Sequence, residues 1–193
     1  MGIRLLAVTT IWAAVAGVVE AAQPSFRIVV YDQAGVSEST LREAMETARW
    51  IYQSAGVQTH WIGCRVSPDL NQHCALPPEG DYIKAILRPN GAGLQKTDEG
   101  LGLALMVKGE PGALCYAFIE PARALANLAH GSLAVVLGSI LAHEVGHLMG
   151  LKHSELGIMK SKFERSEIIY AESGRLLFDS RDAKVLRASV GKH

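Results

Sequence analysis

Three histidines, one glutamate and the glycine at position 150 stand at fixed intervals in the stretch HEVGHLMGLKH, positions 143 to 153. His143 and His147 are four residues apart, so on a helix their imidazoles rise from one face, a turn apart, and can converge on a single ion. Glu144 projects about 100° further round the axis, where a carboxylate reaches a water on that ion without being a ligand itself. Gly150 suits the end of such a helix, because glycine adopts the left-handed conformation that turns a chain back. The turn would bring His153 within reach as a third nitrogen ligand. Three imidazoles and one water make an open tetrahedral zinc site, which keeps a position for chemistry instead of closing it with a fourth protein ligand. HExxH alone arises readily by chance; the glycine and the third histidine make coincidence a poor explanation. Two histidines and a glutamate on an otherwise apolar helix are also costly to bury unless something satisfies them.

The stretch matches HExxHxxGxxH, and on that motif the chain resembles the metzincin clan of zinc metallopeptidases. The resemblance implies one catalytic zinc ion held by His143, His147 and His153, with Glu144 as the general base acting on the zinc-bound water. It implies that Met159, in Gly157-Ile158-Met159, is the methionine of the turn beneath the metal; the other reading of Met159 is an ordinary core residue. The implied fold is α+β: a twisted mixed β-sheet with a helix packed on it, then the active-site helix, then a C-terminal helix. The implied function is that of a zinc endopeptidase acting on peptide or protein substrates.

Ser161 stands two residues past Met159, where astacin-like and serralysin-like members carry a tyrosine, and Tyr170 is at best a distant substitute. Within the clan the resemblance leans towards the matrixin-like members. Relatives hold a peptide along an exposed edge strand above the zinc, and Gly100 to Leu105 is either that strand or an ordinary one. An alternative keeps the zinc without proteolysis, as a binding or structural module, although a purely structural site needs no base at Glu144. A metal-free adhesion domain requires the motif to be coincidence.

The elements that must position these residues are legible in outline. Leu133 to Met149 is apolar nearly all round, the pattern of a buried helix. Upstream, Phe26 to Tyr31 (FRIVVY) reads as a strand ended by Asp32-Gln33-Ala34-Gly35. Ser37 to Thr40 offers helix caps, and Leu41, Met45, Ala48, Ile51 and Tyr52 recur at helical spacing until Gly56. Val57 to Gly63, Tyr82 to Leu87, Gly100 to Val107 and Ala113 to Glu120 are further strand candidates, the last two separated by the turn residues Gly109 to Gly112. Past Gly150 the chain reads as irregular until a short final helix at Arg181 to Ala188.

Composition sets the wider frame. The chain has 193 residues, 49% hydrophobic and 20% charged, which suits one globular domain. Its 19 basic residues balance 19 acidic ones, so nucleic acid is not an expected partner. Arg4, the apolar run Leu5 to Val19 and the small residues Ala21 and Ala22 read as a secretory signal peptide over residues 1–22, leaving 23–193 as the catalytic domain. The alternative, a membrane anchor, fits poorly, because the run is broken by Thr9 and Thr10 and falls short of the roughly 20 residues a spanning helix needs. The expected location is secreted or extracytoplasmic, periplasmic if the source is bacterial, with no stable membrane insertion after cleavage. In an oxidising compartment Cys64 and Cys74 flank a polar loop of the size a local disulfide closes, while Cys115 lies in an apolar run; three unpaired thiols is the other reading. Cys74 and His73 lack the second cysteine pair of a zinc finger. Asp98 and Glu99 read as a solvated turn, with no EF-hand pattern about them.

Overall fold

Ile28, Val29 and Val30 form the middle of strand β1 (Ser25–Asp32) and are fully buried, which places this strand in the interior of the sheet. The computed structural model describes residues 25–65, 82–94, 100–105 and 114–190. The expected leader (1–22), Cys74 with the loop before it, Asp98, Glu99 and the turn at Gly109 to Gly112 lie outside the described residues.

β1 is flanked by two parallel partners, β2 (Gln58–Arg65) and β3 (Tyr82–Arg88). β5 (Leu114–Phe118) runs parallel to β3, and β4 (Gly102–Leu105) pairs antiparallel with β5. The order is β2-β1-β3-β5-β4, a five-stranded and mostly parallel sheet whose antiparallel member lies at one edge. The register puts Gly63, Val30, Ala85, Cys115 and Ala104 in one row across it. These small side chains face the helices and allow them to sit close.

Helix α1 (Glu38–Ser54) crosses over from β1 to β2, its N-cap Ser37 accepting from the Thr40 amide. Helix α3 (Leu133–Leu148) packs beside it, with Leu137, Ile140 and Leu141 almost fully buried. Each such side chain contributes on the order of 1.5–3 kcal/mol. Contact between the two helices runs nearly backbone to backbone, since a Cβ on Gly138 would lie 2.5 Å from the Ala44 carbonyl oxygen and 2.6 Å from the Thr47 Cβ. The buried Tyr52 hydroxyl donates to the Ala142 carbonyl at 3.0 Å, tying α1 to the turn of α3 that carries His143.

Two helices were not evident in the sequence. α2 (Ile119–Ala129) begins directly where β5 ends, so the apolar run that marks the strand conceals the change of period. Its Pro121 falls in the first turn, where a missing amide costs nothing. α4 (Arg165–Glu172) buries only Glu167 and Ile168 and starts from a capping box between Glu164 and Glu167, so it has neither an apolar stripe nor a Ser, Thr, Asp or Asn cap. α5 (Ser180–Ser189), capped by Asp179, is the expected final helix. Among the described residues no helix is long and apolar enough to cross a membrane. Cys64 is disulfide-bonded, and Cys115 is a free, fully buried thiol.

Candidate metal centre

α3 ends at Leu148 with Met149 as its C-cap, and Gly150 follows with φ of 90°. The Leu151 amide donates to the Gly146 carbonyl at 3.0 Å and the Gly150 amide to the His147 carbonyl at 2.9 Å, the paired bonds of a helix stop that needs a left-handed residue at its centre. The reversal places the Leu151 carbonyl 2.9 Å from Nδ1 of His147 and carries the chain back past the helix face at His153. Beyond it the Ser154 amide bonds the Met159 carbonyl at 2.9 Å, which closes the loop under the helix. Met159 is fully buried, and a Cβ on Gly146 would come within 2.9 Å of its sulfur, so the methionine lies directly under the turn bearing His143 and His147.

Nδ1 of His143 lies 2.7 Å from the Ile158 carbonyl oxygen. A carbonyl only accepts, so Nδ1 carries the proton in both His143 and His147, and each Nε2 presents a lone pair. Those Nε2 atoms are 3.0 Å apart, and Nε2 of His153 is 3.1 Å from that of His147. Burial disfavours charge on both helix histidines, lowering His147 and pushing His143 down to about 4. Two neutral acceptors facing each other at this distance repel unless a cation stands between them. The candidate ligand atoms of the three residues all lie within 4.8 Å of one another. Tetrahedral zinc with nitrogen ligands at about 2.0–2.1 Å has nitrogens roughly 3.3 Å apart, so the cluster fits that ion.

Glu144 is buried, and that burial pushes its carboxyl up to about 8. Among the described residues no hydrogen bond holds its carboxylate. His143, Glu144, His147 and His153 line one cavity of about 460 Å³, within the range of small-ligand sites. β4 forms one wall of the cavity, while Leu125 and Ile140 give apolar surface and Lys160 to Phe163 close the other side. Phe163 meets the His143 ring edge-on, with centroids 5.5 Å apart. Lys160 is held by Glu167 at 2.6 Å.

Sequence reasoning named the three histidines, Glu144, Gly150 and Met159, and the structure brings all six together. It did not single out Ile140, one turn before His143 on α3, or Leu125, Lys160 and Phe163, which carry no motif and reach the site only through the packing of α2 and the loop after Met159. Ser161 lines the cavity where the tyrosine was looked for. Tyr170 is half-exposed beside Arg175 and does not line the cavity.

No protein-family model and no curated protein sequence matches the chain. Among solved structures it is similar to metalloproteinase-II from Bacteroides fragilis, at 12% identity and a TM-score of 0.54, over 89% of this chain and 55% of that one. Over the matched region the chain shares the fold of that protein. It spans about half the length of that neighbour. It is also similar to archaemetzincin from Methanopyrus kandleri, at 16% identity and a TM-score of 0.49, over 89% of this chain and 99% of that one. The twisted, mostly parallel sheet with its packed helix, buried histidine helix and C-terminal helix is the metzincin-like arrangement expected from the motif.

Proposed function

We propose that the chain is a secreted zinc endopeptidase of the metzincin clan, with a matrixin-like site and one catalytic ion. The observation that carries this reading is the convergence of three imidazole Nε2 atoms, in an open cavity, beside a carboxylate that no described residue hydrogen-bonds. His143, His147 and His153 would hold the ion, which when bound acidifies a water to a pKa of around 7 and polarises a carbonyl.

Glu144 accepts a proton from water in the cavity and passes it to the leaving amine, the task of a carboxylate positioned beside the reacting water. Among the described residues no strand pairs with the outer edge of β4, so an extended peptide can add to it through backbone hydrogen bonds. Leu125, Ile140 and Phe163 offer an apolar wall to one of its side chains. The disulfide at Cys64 supports an extracytoplasmic location, because such bonds persist in oxidising compartments. N-terminal sequencing of exported protein checks the location: a new terminus near Gln23 is expected, and retention of Met1 in the cytoplasm contradicts it.

The function is tested by metal analysis of the purified protein together with digestion of a broad peptide library. About one zinc per chain and cleavage that stops with a chelator are expected. Zinc without cleavage of any peptide would leave a metal-binding module in place of an enzyme.

A further inference from the structure

We propose that Gly102 is a positioning residue for Glu144, an inference that rests on the peptidase reading above. By register Gly102 stands in the row Leu87, Ala117, Gly102, on the sheet face turned towards α3. A Cβ built on it would lie 2.6 Å from Oε1 and 2.7 Å from Cγ of Glu144, with the Tyr116 carbonyl oxygen also at 2.7 Å. The carboxylate side chain therefore rests directly on the bare backbone of the edge strand.

Hydrogen bonds usually orient a catalytic carboxylate, yet among the described residues none reaches this one. Steric contact with β4 does that work here, and the same strand segment walls the cavity. One glycine thus sets both how far Glu144 projects towards the histidine cluster and how near an added peptide strand lies to it. A methyl group at position 102 must open its contact with Oε1 from 2.6 Å to the ordinary 3.4 Å or more, a displacement of the order of 1 Å. Displacements of that size at a reacting group cost about 10²-fold in rate.

The test is Gly102→Ala, alone and combined with Glu144→Gln, in the zinc-loaded protein, with kcat, KM, zinc content and melting temperature read for each. Gly102→Ala is expected to lower kcat by about 10- to 100-fold at unchanged zinc content, and to add less than about twofold in the Glu144→Gln background, because the group it acts through is already disabled. Independent, multiplicative losses, or a change in KM alone, would overturn the inference while leaving the peptidase reading intact. A wild type that holds zinc and cleaves nothing would overturn both. Should Gly102→Ala fail to fold, Gly102→Ala/Glu144→Ala settles the cause. Recovery of folding there puts the obstacle at Glu144 and supports the inference. Continued failure puts it at the Tyr116 carbonyl and overturns the inference.

Discussion

Nδ1 of His143 and the carbonyl oxygen of Ile158 are 2.7 Å apart, so the residue before Met159 fixes which nitrogen of the helix histidine faces the cavity. That carbonyl is itself held in place by Gly157, which has φ of 75° and a backbone so close to Leu177 that a Cβ would lie 2.5 Å from its carbonyl oxygen. Gly157→Ala is therefore expected to move Ile158 and weaken zinc binding by about 10- to 100-fold, the usual cost of disturbing a partner behind a ligand. Competition with a chromophoric chelator measures this. Unchanged zinc affinity in a folded variant would detach the Ile158 carbonyl from the metal site.

His153 is the exposed member of the cluster and comes from beyond the helix, whereas His143 is buried in the core. His153→Ala should accordingly leave melting of the metal-free protein almost unchanged and loosen zinc by more than the loss seen for Gly157→Ala. Equal zinc affinity in wild type and variant would show that the ion does not use this imidazole.

The metal-free protein should depend on pH in a way set by two buried groups. Burial holds His143 near 4 against an ordinary 6.5, so the unfolded chain takes up a proton that the native ring refuses. The stability this ring contributes is present above pH 6.5 and is lost as pH falls towards 4. Glu144 has the opposite sign: raised by burial from 4.5 to about 8, it contributes stability below pH 4.5 that is lost as pH rises through 8. Of the two, only Glu144 acts between pH 6.5 and 8. Melting curves in chelator should fall across that window for the wild type, and Glu144→Gln should remove most of the fall. Parallel slopes in both proteins would count against a buried, proton-binding Glu144.

Gly138 sets the spacing of α1 and α3, since a Cβ there would meet the Ala44 carbonyl at 2.5 Å. Backbone cannot yield as a flexible side chain does, so Gly138→Ala should destabilise the protein by about 1–3 kcal/mol despite its better helix propensity. Denaturant unfolding reads this directly, and a variant as stable as the wild type would mean that the two helices are not held at this contact.

The sequence carried the site further than it carried its surroundings. His143, Glu144, His147, Gly150 and His153 are legible because ligand geometry demands fixed offsets on one helix and its stop. The buried helix and the strands at Phe26, Val57 and Tyr82 are legible because their apolar patterns keep a single period. α2 was hidden behind the strand that runs into it, and α4 behind a glutamate cap and a helix too short to show a stripe. Gly102 gave no signal at all: its meaning lies in a carboxylate brought against it from forty-two positions away, and no local pattern records such an approach.

Zinc content and peptide turnover, measured on paired samples of wild type and Glu144→Gln, test the central claim most directly. The amide is nearly isosteric with the acid and leaves all three histidines in place, but it cannot accept a proton. Both proteins should hold about one zinc per chain, and turnover should fall by about 10²- to 10⁴-fold in the variant. Equal turnover in the two, or full zinc content after His143 and His147 are both replaced, would contradict the account.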